Sequence, residues 1–180
     1  MKNILILVDM QNGFTIYEQT KKLEERIQSL LETKAFDYVV ATKFLNYNNS
    51  MYEKMFNWQR LKTDEDRKLC SNFEDYIDVI IEKTIYTCIN SNFIQRICQL
   101  NDGEFPKKLF IAGVDTDCCV LKIATDLFEN NIRPIVLTHY CASNGGTESH
   151  ITGIMCMKRL IGEKQLFLGE ITSNKDLLYI

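Results

Sequence analysis

The chain has 180 residues, a length that suits one domain able to bury roughly 70% of its unfolded surface. Its 46% apolar and 25% charged residues exclude a disordered or disulfide-scaffold class. The formal charge of -3, from 21 basic and 24 acidic residues without a long run of either sign, argues against nucleic acid or a membrane surface as partner. The N-terminal run Ile4 to Val8 is too short to span a bilayer and is followed by Asp9 rather than by a small-residue cleavage site. Seven cysteines, an odd number without CxxC spacing, fit reduced thiols in a cytoplasmic protein. With two histidines, His139 and His150, no metal site is expected, and no cofactor either.

Short apolar runs of β type recur at Ile4 to Val8, Tyr38 to Ala41, Val79 to Ile81, Leu109 to Ala112, Ile135 to Leu137 and Leu166 to Leu168. Helical patterns separate most of them, which predicts a mainly parallel six-stranded sheet. Continuous rather than alternating apolar runs imply helices on both faces. The expected fold is a doubly wound, Rossmann-like three-layer α/β/α domain over residues 1–180.

The first helix is predicted from Leu23, Ile27, Leu30 and Leu31, behind a capping box of Thr15 and Glu18. Weaker helical segments are expected over residues 50–58 and 90–100. Val120, Ile123, Ala124, Leu127 and Phe128 mark another helix. The last carries Ile151, Ile154, Met155 and Ile161 on its inward face, with Thr147 as cap after the loop Ser143 to Gly146. Pro106 and Pro134 fall just before a predicted strand or in its first residues, and no repeat or linker divides the chain.

In an open α/β sheet ligands bind beyond the carboxyl ends of the strands, so the residues there are the candidates. Asp9 ends the first strand with Gln11 close behind, and burial at that point makes a carboxylate a better base. Lys83 leaves the third strand directly after an apolar run. The fourth strand turns through Gly113-Val-Asp-Thr-Asp-Cys-Cys-Val120, with a helix expected from Thr116 or Asp117. A thiolate in that first turn is stabilised by unpaired N–H groups and the helix dipole, so a thiol pKa below the free value of about 8.5 is expected. This argument does not choose between Cys118 and Cys119. Cys70, Cys98 and Cys156 read as small buried hydrophobes. The chain has no G-x-G-x-x-G after its first strand, no P-loop and no G-x-S-x-G elbow, which favours a cofactor-free hydrolase of another kind.

Together the Asp9-Met-Gln-Asn-Gly-Phe14 segment, Lys83 and the Thr116-Asp117-Cys118-Cys119-Val120 element resemble the isochorismatase-like cysteine hydrolases. The similarity extends over nearly the whole chain, through Asp126 and Phe128 to Cys141-Ala-Ser143 and His150. It implies Cys119, rather than Cys118, as nucleophile, with Asp9 and Lys83 completing a triad. It also implies a cis peptide between Val114 and Asp115, and an oxyanion hole of the Asp115 and Cys119 backbone N–H groups. The implied reaction is hydrolysis of a C–N bond in a small amide, ureido or carbamoyl compound, by a homo-oligomer, a dimer or tetramer. Nicotinamidase-like members hold a metal with an aspartate and histidines after the second strand. Residues 42–50 here contain no histidine, which puts that site in doubt.

The substrate pocket is expected from Gln11 and Phe14 and from Phe44, Asn46, Asn49, Tyr52 and Trp58 after the second strand. His139, at the end of the fifth strand, is expected to be packed or water-bonded. The competing readings are a non-catalytic binding or scaffold protein, an isochorismatase-type hydrolase of a different bond, and a redox pair of Cys118 and Cys119. A cysteine nucleophile favours amide hydrolysis among them.

Overall fold

A computed structural model describes residues 2–180, apart from the side chains of Ser71 and Asn72. Six strands form one sheet: β1 (Ile4–Val8), β2 (Tyr38–Phe44), β3 (Val79–Lys83), β4 (Lys108–Val114), β5 (Arg133–Ala142) and β6 (Leu166–Phe167). Their spatial order is β3-β2-β1-β4-β5-β6 and every pairing is parallel. The chain winds outward from β1 through β2 to β3, returns to β4 beside β1, and winds outward again. The crevice at the reversal lies between the ends of β1 and β4, with β3 two strands away.

The helices are α1 (Glu18–Glu32), α2 (Met51–Phe56), α3 (Asp64–Arg67), α4 (Ser91–Leu100), α5 (Leu121–Glu129) and α6 (Gly146–Leu160). All five residues of β1 are buried, because its two faces feed two separate cores. Leu5 and Leu7 pack with Leu23, Ile27 and Leu30 of α1 and with Phe73. Ile4, Ile6 and Val8 pack on the other side with Phe93, Ile97, Ile123, Leu127 and Met157. Burying each such side chain contributes about 1.5–3 kcal/mol, and this two-sided burial produces the three layers.

The expected strands all form, with different lengths. β2 continues through Thr42, Lys43 and Phe44, and β5 runs ten residues to Ala142. Pro134 is tolerated in β5 because β6 pairs only with Val136 and Leu137, leaving the proline's stretch with a single neighbouring strand.

The end signals of the helices differ from expectation. At α1 the Thr20 hydroxyl accepts from the Tyr17 N–H at 3.3 Å, while Thr15 donates instead to the Gln11 carbonyl. The Thr15–Glu18 box therefore does not form. α6 begins at Gly146, so Thr147 lies inside its first turn, and the Ser143 hydroxyl accepts from the Gly145 N–H at 3.0 Å. The inward face of α6 is Gly153 and Met157, followed by Ile161, while Ile151 and Met155 are exposed. A Cβ on Gly153 would lie 2.8 Å from the Asp117 Cα, so close backbone approach selects this face rather than the largest apolar residues. Phe128 is half exposed on α5, and Cys156 is exposed where a buried cysteine was expected.

Candidate active site

The backbone turns sharply at the end of β1, where Asp9 adopts φ of 50°, a left-handed conformation that aspartate tolerates better than most residues. On the facing strand a Cβ at Gly113 would lie 2.2 Å from the Val8 carbonyl oxygen. Glycine there brings the end of β4 against the end of β1. Asp9 is fully buried. Its Oδ1 accepts the Thr42 hydroxyl at 2.6 Å, and Thr42 Oγ1 in turn accepts the Asp9 N–H at 3.1 Å. Oδ2 lies 2.7 Å from Lys83 Nζ, an ion pair without hydrogen-bond alignment, and accepts no aligned hydrogen bond among the described residues. A lone pair of Oδ2 is thus open to a proton.

Lys83 is the last residue of β3 and pairs with Phe44 across the sheet. Its ammonium donates to the Ile85 carbonyl at 3.2 Å and to Cys119 Sγ at 3.3 Å, and lies over the Phe44 ring at 4.8 Å. Burial alone would pull the lysine pKa down, but the Asp9 carboxylate and Cys119 outweigh it and hold the pKa above its usual value. The group stays charged.

Cys119 arrives by an unusual turn. β4 ends in a cis peptide between Val114 and Asp115, and residues Thr116–Val120 form a π-helical turn before α5 begins at Leu121. The Cys118 and Val120 N–H groups both donate to the Asp115 carbonyl at 3.1 Å. Thr116 Oγ1 lies 2.7 Å from His150 Nδ1, and Ser143 donates to Asp117 Oδ1 at 2.6 Å. The turn is therefore braced from β5 and α6 as well as from its own backbone.

The expected lowering of the thiol pKa does not occur at Cys119. Burial and then the Asp9 carboxylate push it well above the usual thiol value, and Lys83 offsets only part of this. Loss of solvation outweighs any helix dipole, and the regular helix starts two residues later. The resting group is a neutral thiol. Cys118 is also unactivated, pushed up to about 12 by burial together with Asp117 and Asp115. Lys83 contacts Cys119 rather than Cys118, and that contact separates two thiols which sequence reasoning could not.

A cavity of about 360 Å³ opens above Cys119. Its walls carry Phe14, Phe44, Tyr52, Phe56, Trp58 and Tyr86. Phe14 stacks on Trp58 with ring centres 5.8 Å apart, and Phe44 meets Trp58 edge-on at 5.7 Å. Of the residues expected at the pocket, Phe14, Phe44, Tyr52 and Trp58 line it, whereas Gln11, Asn46 and Asn49 do not. Gln11 is buried and pins loops, donating to the Phe44 and Arg67 carbonyls and accepting the Phe44 N–H at 2.7 Å. Asn46 donates to the Trp58 and Arg60 carbonyls and accepts the Ser50 hydroxyl, which holds the loop bearing Trp58. Asn49 is exposed. Sequence reasoning missed Thr42, Phe56, Tyr86 and Asn144. His139 lies away from this cavity, 3.8 Å from Glu170 and edge-on to Tyr140.

The Isochorismatase domain family matches residues 3–172, almost the whole chain. The chain belongs to the isochorismatase family. It is a hydrolase of that family. No curated protein matches it in sequence. Among solved structures the fold is shared with nicotinamidase/pyrazinamidase from Bacillus subtilis, at 23% identity and TM-score 0.76, covering 93% of this chain and 100% of that one. N-carbamoylsarcosine amidase from Thermoplasma acidophilum superposes with TM-score 0.71 at 19% identity, covering 94% and 96%. An isochorismatase-like hydrolase from Alkaliphilus metalliredigens gives TM-score 0.76 at 16% identity, covering 99% and 98%. Among the described residues this isochorismatase-family chain has no group of three or more His, Cys, Asp or Glu side chains arranged to hold a metal, and no helix long and apolar enough to cross a membrane. The loop after β2, where Asn46 spends its polar atoms on backbone and Ser50, offers no donor set for a metal.

Proposed function

We propose that this hydrolase cleaves the C–N bond of a small amide, ureido or carbamoyl compound through a thioester on Cys119. The observation that carries the reading is the placement of Lys83 Nζ between Asp9 Oδ2 at 2.7 Å and Cys119 Sγ at 3.3 Å, where Cys119 lines an aromatic-walled cavity. A buried acid, cation and thiol at such distances have the arrangement that nucleophilic catalysis requires.

In the proposed cycle Asp9 Oδ2 takes the thiol proton as Sγ attacks the substrate carbonyl, and Lys83 stabilises the sulfur's developing negative charge. The backbone N–H groups of Asp115 and Cys119 receive the carbonyl oxygen as it becomes an oxyanion, a contribution of about 10²–10³ in rate per donor in comparable sites. Collapse breaks the C–N bond, and Asp9 returns its proton to the departing nitrogen as ammonia or an amine leaves. Asp9 then takes a proton from water, whose oxygen attacks the thioester carbonyl. The acid product departs and Cys119 recovers the proton. The raised pKa of the resting thiol fits this order, because a nucleophile that is neutral at rest makes Asp9 necessary at the moment of attack.

The test is ammonia or amine release across a panel of small amides, ureas and carbamoyl compounds, with Cys119→Ala and Cys118→Ala measured beside the parent. The expected outcome is turnover in the parent, none in Cys119→Ala, and rates within a few-fold of the parent in Cys118→Ala. Turnover retained by Cys119→Ala would remove the mechanism.

A further inference from the structure

The cavity walls are aromatic, yet one end is polar in a particular way. Asp115 and Asn144 both line it. Asp115 Oδ1 accepts two hydrogen bonds from Asn144, from the backbone N–H at 2.7 Å and from Nδ2 at 2.8 Å. The other carboxylate oxygen, Oδ2, has no donor among the described residues. The Nδ2 contact fixes the amide orientation, so Asn144 Oδ1 faces elsewhere, and it is buried without a partner. Asp115, half-buried, thus lines the cavity with one carboxylate oxygen that no protein donor satisfies, and the residue beside it carries a buried acceptor in the same condition.

No cation among the described residues fills that role. Lys83 spends its ammonium on Asp9, the Ile85 carbonyl and Cys119. Arg60, which lines the cavity, is exposed and has no ion pair with Asp115. Burial, opposed by the two Asn144 bonds and assisted by Asp117 and Asp9, raises the Asp115 carboxyl to about 6, which is the behaviour of a carboxylate without a neighbouring cation. Near neutral pH it is still charged. Around it Phe14, Trp58 and Tyr52 present ring faces and edges of the sort that receive an organic cation.

We propose that the cavity selects substrates carrying a protonated amine or an equivalent cationic hydrogen-bond donor beside the scissile amide, held by the Asp115 carboxylate with Asn144 at its side. The inference rests on the amide-hydrolase reading given above and names its substrate class. Asp115 is then the residue that sets specificity. A neutral substrate of equal size would shut solvent away from the half-buried carboxylate without supplying a cation, and that penalty is the basis of the discrimination.

The experiment uses matched aromatic amides that bear either an aminomethyl or a hydroxymethyl group at the ortho, meta or para position. Turnover and equilibrium binding are both measured, for the parent and for Asp115→Asn. The expected result is at least a roughly tenfold preference in kcat/KM for the cationic member at one or more ring positions, which collapses in Asp115→Asn. Binding should show the same preference and the same collapse. If the neutral members are turned over as fast as the cationic ones, or if Asp115→Asn keeps the preference, the inference is wrong and amide hydrolysis stands. If no member is turned over, the hydrolase reading fails, and binding alone decides: tighter binding of the cationic members that is lost in Asp115→Asn upholds the cation site, and equal binding overturns it.

Discussion

The floor and the wall of the cavity are built on opposite plans. The floor is Cys119, which lines the cavity, with Lys83 and Asp9 in contact behind it, each at most 5% exposed and carried by the end of a sheet strand or by the turn that follows one. Its polar groups form one chain of contacts, Thr42 to Asp9, Asp9 to Lys83 and Lys83 to Cys119. Half of the aromatic wall, Tyr52, Phe56 and Trp58, comes from the segment between β2 and β3, where Phe56 is 70% exposed and α2 buries none of its six residues. The floor thus depends on the whole sheet, while the wall depends on a few loop hydrogen bonds. Substitutions in the floor should cost folding and chemistry together, whereas those in the wall should change substrate choice and leave the fold.

The largest effect is expected from Lys83→Gln. It leaves the Asp9 carboxylate buried without its cation, and breaking such a pair costs about 3–5 kcal/mol. Chemical denaturation should show a loss of this size, with turnover abolished. If stability is unchanged, the Asp9–Lys83 pair is not the anchor of the floor. Thr42→Val removes the hydroxyl that both donates to and accepts from Asp9, for an expected loss of about 1–3 kcal/mol. Restoration by Thr42→Ser would tie the effect to the hydroxyl.

Asp115 lies between the two regions and gives the comparison a pH signature. Its carboxyl is raised to about 6, above the ordinary aspartate value of about 3.9. The folded protein therefore holds that proton more tightly than the unfolded chain, and stability falls as pH rises from about 4 through about 6. Asp115→Asn escapes that loss. It should match the parent near pH 4 and exceed it by up to about 2 kcal/mol at pH 7, while losing the substrate preference. A variant whose advantage does not grow over that pH range would contradict the assignment. The smallest effect is expected from Phe56→Ala, within about 0.5 kcal/mol in denaturation, because the side chain is mostly exposed. Its KM values across an amide panel should nevertheless shift relative to one another.

The floor was largely legible in the sequence and the wall only in part. Asp9 directly follows the fully buried β1, and Lys83 closes the edge strand β3 with one residue between it and the apolar run, so their places at strand ends were readable. Cys119 needed the family motif, because the contact that distinguishes it from Cys118 comes from β3, 36 residues away. Thr42 was hidden because threonine is an ordinary strand residue, and only the register of β2 against β1 turns it toward Asp9. Gln11 and Asn46 were read as pocket residues because they are polar and near the right strands, but their partners are backbone groups of loops whose course local pattern does not give. The α6 face was misread for a related reason: contact with the turn after β4 selected Gly153, and a glycine is invisible to apolar periodicity. The cap residues of α1 and α6 shifted because neighbouring hydroxyls compete for the same amides.

The claim that the floor performs covalent chemistry is tested most directly by trapping its intermediate. The parent protein is mixed with an amide that it turns over, quenched in acid within the turnover time, digested and weighed peptide by peptide. The account predicts the mass of the acyl group, without its amine, on the peptide bearing Cys118 and Cys119, present in Cys118→Ala and absent in Cys119→Ala. Turnover with no acylated cysteine at any quench time, together with activity in Cys119→Ala, would contradict it.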